Sequence, residues 1–316
     1  MSNGLKDCMP ARSPGQLPNS PTTHLPDSPP DYPMLQLSNP DHRSASAIGR
    51  HARLELAFRS RHGRTVLAHA YAEPPFRIGR SFDIDGALYL MIVCAGPGVF
   101  AGDNLHQIVT VERSARVLLA SQSSLQVHPG RAGEPARVRH EYTVEDEGEL
   151  HCHWDPIIPF TDARVAQRFD LQLSTGSRLY WSDALMSGRC GRGEAWKFSG
   201  LAHELRLNIG GALQYLERYH LRPADRQARQ WAAGGANYIG TSLVYHRAVT
   251  APFVEGIQRR LDAIEHLHAG LDLVEPHLVV GRLLASNGPP LSRGRGAFRE
   301  AALAGVFQRP ELVVRR

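Results

Sequence analysis

The chain has 316 residues, a mass of 34.9 kDa and a formal net charge of +5, which predicts one large domain or two modest ones. Its arginines are spread among Asp and Glu, without a run of five or more basic residues and without a recognisable nucleic-acid-binding motif. The charge therefore favours an acidic protein partner over nucleic acid.

The first 50 residues are predicted to be a disordered tail. Residues 1–40 contain nine of the 22 prolines and few apolar side chains to offset the entropy of chain ordering. They also lack the apolar stretch of about 7 to 15 residues found in a signal peptide, so we expect a cytoplasmic protein. The longest apolar run, 87–95, is about half of the ~20 residues that a membrane-spanning helix needs, and predicts a buried strand.

The four cysteines, at positions 8, 94, 152 and 190, are widely separated and form no Cys-x-x-Cys motif. Neither a disulfide framework nor a structural zinc site is indicated, which fits a reducing compartment.

Alternation of apolar and polar residues dominates the segment 51–221 and predicts a β body. Because no helical pattern separates the strands, βαβ units are not expected, and the pattern predicts an elongated body of stacked or sandwiched sheets. No fixed-period repeat supports a regular solenoid. The candidate strands are 54–58, 65–71, 87–94, 107–111, 116–121, 137–143, 149–153, 164–173, 178–183, 194–198, 204–209 and 213–220.

The pattern changes in residues 222–316, which we predict to be a small α+β part packed on the β body. A helix is expected over 252–268, with apolar residues on one face, a proline near its start and Gly270 just past its end. A second helix is predicted over 296–307, with strands at 238–245 and 278–285.

Several short motifs follow one another in a fixed order. A tryptophan-proline-aromatic segment occupies 154–160, Trp-Ser-Asp occupies 181–183, and Gly-Arg is followed by Gly-Glu within 188–194. Further pieces lie at 98–105 and 216–221. Together these motifs resemble the signature of the urease accessory protein D family (UreD, also called UreH), over roughly residues 50 to 285.

The resemblance implies an irregular β-helix-like body with two helices in its C-terminal part. It also implies a chaperone, not an enzyme, that bridges the urease apoprotein and a helical UreF-type partner, which recruits a UreG-type GTPase. GTP hydrolysis in that partner would drive nickel insertion into the urease active site. We expect no tightly bound cofactor, only transient Ni²⁺, and neither nucleic acid nor membrane as a partner.

The chain departs from the family pattern at three places. Ala101-Gly102-Asp103 stands where Gly-Gly-Asp is usual, and His128 stands near the position of a usual tyrosine. The usual C-terminal ending is replaced by 310–316.

Five residues are candidates for a nickel passage or a partner surface. They are Asp103, Asp155, Asp183, Arg189 and Glu194. Asp103, Asp155, Asp183 and Glu194 can also be explained as ordinary turn or strand-end residues. An alternative function from another class uses two of Asp155, Asp183 and Glu194 as the carboxyl pair of a carbohydrate-active enzyme.

His151-Cys152-His153 is the densest group of metal-ligating residue types. On a strand the two histidines point to one face and Cys152 to the other, with the imidazoles about 7 Å apart. Such a pair can share a Ni²⁺ ion. The ordinary explanation is chance, because sixteen histidines in a chain of this length readily produce such a pair.

The segment Gly188-Arg189-Cys190-Gly191-Arg192-Gly193-Glu194 has the glycines and arginines of an anion-binding loop. A Walker loop needs a Lys-Ser/Thr pair after its last glycine, and Glu194 and Ala195 follow here instead. A tight turn is therefore expected. The resemblance adds that Arg189 and Glu194 shape the interior and the partner-facing surface.

Overall fold

The computed structural model describes residues 49–130, 134–225, 230 and 234–313. The predicted tail over 1–50, apart from its last two residues, and Cys8 lie outside this part of the chain. The described strands are β1 (His51–Arg61), β2 (Arg64–Ala72), β3 (Phe76–Ile84), β4 (Ala87–Cys94), β5 (Asn104–Val111), β6 (Arg116–Ser121), β7 (Leu125–Val127), β8 (Ala136–Val144), β9 (Glu149–His153), β10 (Ile157–Pro159), β11 (Arg164–Leu173), β12 (Arg178–Met186), β13 (Gly200–Ile209), β14 (Ala212–Leu221), β15 (Tyr238–Tyr245), β16 (Leu267–Glu275) and β17 (Leu278–Ala285). The described helices are α1 (Ala251–Asp262) and α2 (Gly288–Gly305).

The strands form two sheets. The first sheet has the order β14-β13-β11-β8-β5-β1-β2, and the second runs β16-β17-β15-β12-β9-β6-β4-β3, with β7 and β10 beside it. From β4 to β13 the chain passes repeatedly from one sheet to the other, and neighbouring strands within each sheet are parallel. The result is a stack of β-solenoid-like coils, which confirms the predicted mainly β class with two helices near the C-terminus.

Two hydrophobic cores hold this arrangement together. The first lies between the facing sides of the sheets, where Trp181 is fully buried against Phe169 and Tyr142. The second lies between the outer side of the second sheet and the two helices, and includes Phe298 and Leu261. Burial on both faces explains why β4, which covers the longest apolar run, is apolar along nearly its whole length.

Several sequence predictions were wrong in detail, and β3 and β16 were not predicted. Residues 194–198 form no strand, because the chain turns through a short 3₁₀ helix at Cys190–Arg192. The first helix ends at Asp262 instead of 268, since His266 turns the chain at a φ of 63° into β16. The second helix begins at Gly288 instead of 296, because prolines are compatible with the first helical turn.

The last strand of the first sheet, β14, ends at Leu221. Beyond it, β15 pairs with β12 and is followed in the sheet by β17 and β16. The C-terminal strands therefore extend the second sheet of the β body, while α1 and α2 cover that sheet. None of the helices in the described part of the chain is long and apolar enough to cross a bilayer.

Candidate functional site

The motif loops connect the second sheet to the first, and they come together along one edge of the stacked coils. We call this surface the motif rim, formed by Arg50, Phe100, Asp103, His128, Phe160, Arg189 and Glu194. The His128 ring stacks on Phe100, with ring centroids 4.6 Å apart and planes inclined by 13°. The rings of His128 and Phe160 meet edge to face, with centroids 4.7 Å apart. The Arg189 guanidinium lies 4.1 Å from the Phe160 centroid. Aromatic and cation–π contacts thus join loops that are far apart in sequence.

Asp103 is a buried carboxylate that ties the rim to the start of β1. Its Oδ2 accepts hydrogen bonds from Arg50 Nη2 at 2.6 Å and from the Phe100 backbone at 2.9 Å, and its Oδ1 accepts one from the Arg50 backbone at 2.8 Å. Burial raises the pKa of Asp103, but these hydrogen bonds outweigh burial and leave the pKa below its ordinary value. The geometry makes Asp103 a charged clamp on the loop.

Arg189 and Glu194 form the second ion pair of the rim. Arg189 Nε and Nη2 donate to the two carboxylate oxygens of Glu194 at 2.7 and 2.6 Å. The hydrogen bond from Arg189 holds the pKa of Glu194 below its ordinary value. Gly188 has a φ of 136°, and a Cβ there would collide with the Glu194 carbonyl oxygen, so this glycine permits the tight turn predicted from the sequence.

Asp155 and Asp183, the other two candidate carboxylates, line a cavity of about 130 Å³ between the sheets. The Asp155 backbone donates to Ser121 Oγ at 2.8 Å, and Ser121 Oγ donates to Asp155 Oδ2 at 3.2 Å. Gln107 and His140 also line the cavity. Burial lowers the pKa of His140 to about 3, so its imidazole is neutral near pH 7.

Asp183 belongs to what we call the interior polar cluster, formed by Asp183, His203, Glu217, Thr241 and Arg282. Asp183, Thr241 and Arg282 are cross-strand neighbours on β12, β15 and β17. Arg282 Nη1 contacts Glu217 Oε1 at 2.7 Å, and Thr241 Oγ1 donates to Glu217 Oε2 at 3.2 Å. A small cavity lined by Asp183, His203 and Thr241 shares Asp183 with the larger cavity.

The electrostatics of this cluster are opposite to those of the rim. Burial, together with the nearby charge of Glu217, raises the pKa of Asp183 to about 7. Burial lowers the pKa of His203, whose Nε2 is buried without a hydrogen-bond partner in the described residues. Near neutral pH the cluster therefore combines a carboxyl group that exchanges its proton readily with a neutral imidazole.

Helix α2 contacts the Trp-Ser-Asp motif of β12 from the outer face of the second sheet. The buried Arg295 donates from Nε to Ser182 Oγ at 2.9 Å and from Nη2 to the Trp154 carbonyl oxygen at 2.5 Å. One helix side chain thus links the residue that follows β9 to the middle of β12, next to the cavity-lining residues Asp155 and Asp183.

His151 and His153 lie on the outer face of the second sheet, beneath the C-terminal segment, while Cys152 lies in the core between the sheets. His151 Nε2 is 2.8 Å from Glu149 Oε1, and His153 Nδ1 is 2.9 Å from the Tyr180 hydroxyl. No grouping of three or more His, Cys, Asp or Glu side chains suited to hold a metal occurs within the described ranges. A metal role for this triplet stays a prediction.

Sequence reasoning missed His203, Glu217 and Arg282. The sequence signal that could have found them is a polar residue at a position where the alternation of the strand predicts a side chain facing the core. In β14, for example, Glu217 is 4% exposed between more exposed neighbours. Asp183 was selected for its motif. Its polar neighbours come from strands that are remote in sequence.

Comparison with known proteins gives a match to the family model described as UreD urease accessory protein over residues 50–316. The chain belongs to the UreD urease accessory protein family. Over 270 residues it is 28% identical to a urease accessory protein UreD of Deinococcus radiodurans, covering 84% of this chain and 95% of that protein. It is 35% identical over 170 residues to UreD of Sorangium cellulosum, covering 54% of each chain, and 27% identical over 261 residues to UreD of Opitutus terrae, covering 80% and 94%.

Family membership assigns the chain an accessory role in urease maturation and an interaction with the urease machinery. The carbohydrate-active alternative loses one of its three carboxylates as a ready catalyst, because Glu194 is occupied by Arg189 at the rim. Asp155 and Asp183 remain as residues that line the cavity between the sheets.

Proposed function

We propose that this UreD-family protein is a non-enzymatic scaffold that passes Ni²⁺ to the urease apoprotein while bound to a UreF-type partner, with GTP hydrolysis in a UreG-type protein. The observation that carries the proposal is the Asp183 carboxyl group, which lines a cavity within the stacked coils together with other polar side chains. Nickel is cargo in this scheme and needs ligands that release it.

The raised pKa of Asp183 suits a transient ligand. A carboxyl group with a pKa near 7 is partly protonated at neutral pH, so a cation must displace a proton and binds weakly. Neutral His140 in the larger cavity and His203 in the smaller one supply nitrogen donors, which Ni²⁺ accepts readily. Ser121 and Gln107 add oxygen atoms to the larger cavity wall.

The rim has a different role in the proposal. Its two ion pairs and its aromatic stack hold the loops in one geometry, which favours a surface prepared for a partner at little entropic cost. Asp103, Arg189 and Glu194 would act by shaping that surface, while Asp155 and Asp183 would act on the ion.

The test is co-expression of a urease gene cluster with and without this chain, followed by purification of urease and elemental analysis. We expect folded urease that lacks nickel when the chain is absent. A tagged form of the chain should retain the urease apoprotein and a UreF-type protein in a pull-down. Equal nickel per urease active site in both cultures would refute the scaffold role and bring the carbohydrate-active alternative forward.

A further inference from the structure

The outer face of the first sheet carries a groove that the proposed function does not use. Its volume is about 730 Å³, and it crosses β8, β11, β13 and β14. Ala166 and Ala202 are register neighbours and form its floor, because their side chains are shorter than those of the adjoining rows. Arginines stand around this floor. They are Arg137, Arg139, Arg168 and Arg218.

The charges beside the groove lie in rows across the strands. Arg139, Arg168, Glu204 and Arg218 occupy one row of the sheet register. The next row away from the groove contains Glu141 and Asp170. Arg139 Nη2 contacts Glu141 at 2.6 Å, and Arg168 Nε contacts Asp170 at 2.7 Å. The carboxylates thus neutralise these arginines from the side opposite the groove.

The groove side lacks a matching row of carboxylates. Its own row contains Asn104, Arg137, Ala166, Ala202 and His220. Arg137 makes no ion pair with any residue in the described part of the chain. Four other arginines on the same face do form ion pairs, namely Arg139, Arg168, Arg206 and Arg218. Arg139, Arg168 and Arg218 keep 46 to 55% of their side chains exposed. A guanidinium has five N–H donors, so these arginines retain donors toward the groove.

We propose that this groove binds an extended acidic segment of a protein partner, whose carboxylates complete the missing row. Three inter-strand spacings separate β8 from β14, or about 14 Å, which an extended segment of about four or five residues spans. Arginine is suited to such contacts because its fork matches a carboxylate in two parallel hydrogen bonds. The small side chains of the floor leave room for the backbone of the segment.

A peptide fits this surface better than a nucleic acid. Glu204 lies within the groove lining, and Glu141 and Asp170 lie on the same face, so a continuous phosphate backbone would meet three carboxylates. Separate carboxylates on an extended chain can instead occupy the arginine positions and avoid Glu204. Electrostatic pairing of this kind gives specificity and a salt-dependent association rate.

The test uses the full chain and a fluorescent peptide of alternating Glu and Ala, about eight residues long, with its Gln-for-Glu counterpart and a single-stranded oligonucleotide of equal charge. Fluorescence anisotropy at low salt should show binding of the Glu peptide that is about tenfold weaker for Arg137→Glu, a change of about 1.4 kcal/mol. Arg77→Glu is the matched control, because Arg77 is an exposed arginine on β3 in the other sheet.

Three outcomes would overturn the proposal. They are equal affinities of the wild-type chain and Arg137→Glu, equal affinities for the Glu and Gln peptides, and tighter binding of the oligonucleotide than of the Glu peptide. The last outcome would assign the groove to nucleic acid. None of these results depends on nickel transfer, so the groove and the scaffold role can fail separately.

Discussion

The motif rim and the interior polar cluster both contain carboxylates, but their surroundings differ. At the rim, Asp103 and Glu194 each meet an arginine in close hydrogen bonds, and the pKa of each lies below its ordinary value. In the interior cluster Asp183 lies beside Glu217, while Arg282 contacts Glu217 directly, and the pKa of Asp183 is raised. Rim carboxylates are therefore clamps that are charged at neutral pH, whereas Asp183 can exchange a proton for a cation.

The largest stability effect should come from removing a rim clamp. Asp103→Ala leaves the Arg50 guanidinium and two backbone N–H groups without their acceptor, which we expect to lower the free energy of unfolding by about 3 kcal/mol. Urea unfolding of the purified chain measures this loss. Asp272→Ala, on the exposed side of β16, is the control. Similar unfolding free energies for the two variants would show that Asp103 does not clamp the loop.

Removing the charge of Asp183 in the interior polar cluster should raise the free energy of unfolding instead of lowering it. Because the pKa of Asp183 is raised on folding, the folded state holds a proton that the unfolded state releases, and stability falls as pH rises from about 4 to 7. Asp183→Asn removes this cost, so it should stabilise the chain by roughly 1 to 2 kcal/mol at about pH 8 and by much less at about pH 4. Melting temperatures at both pH values provide the measurement. Destabilisation by this variant at pH 8 would mean that the charged carboxylate is well paired.

Glu194→Gln should change stability less than either variant, because the Arg189–Glu194 pair is partly exposed to solvent. We expect its main effect on urease activation or on complex formation, which depends on the shape of the 188–194 turn. Urease activity in co-expressing cells, measured beside the melting temperature of the purified variant, separates the two effects. Parallel loss of both would make the pair a folding element only.

The smallest effect is expected for His151 and His153. Changing both to Gln should lower weak Ni²⁺ binding by the chain without preventing assembly, because the chain then lacks two imidazole nitrogen ligands on one sheet face. Isothermal titration calorimetry measures the number of Ni²⁺ ions bound per chain. The control replaces exposed His69 and His268 instead. If the stoichiometry is unchanged, the two histidines serve packing beneath the C-terminal segment.

Much of the fold was predictable because alternation marks strands that are buried on one face. The same pattern did not reveal that successive strands enter different sheets, since local periodicity is identical for antiparallel and solenoid-like connections. β16 was missed: the predicted helix was extended through its first two residues, Leu267 and His268, although the chain already turns at His266. Leu273 and Val274 remain exposed on that strand and gave no strong strand signal.

The candidate site was predictable only in part. Motif order brought Asp103, Arg189 and Glu194 to attention, and the structure joins them in one rim. Asp183 was also found from its motif, but its partners Glu217 and Arg282 come from β14 and β17, which only the tertiary structure places together. Whether a carboxylate is a clamp or an exchangeable ligand depends on those partners, so this distinction requires the structure.

The most direct test of this distinction is the nickel content of urease matured in cells that carry wild-type chain, Asp183→Asn or Asp272→Asn. Asparagine keeps the size of the side chain. It has no carboxyl proton to release and no carboxylate charge with which to bind Ni²⁺. We predict clearly less nickel per urease active site with Asp183→Asn, at equal levels of soluble chain and of chain bound to urease, and wild-type nickel content with Asp272→Asn. Wild-type nickel content with Asp183→Asn would contradict the role of this carboxyl group in nickel transfer.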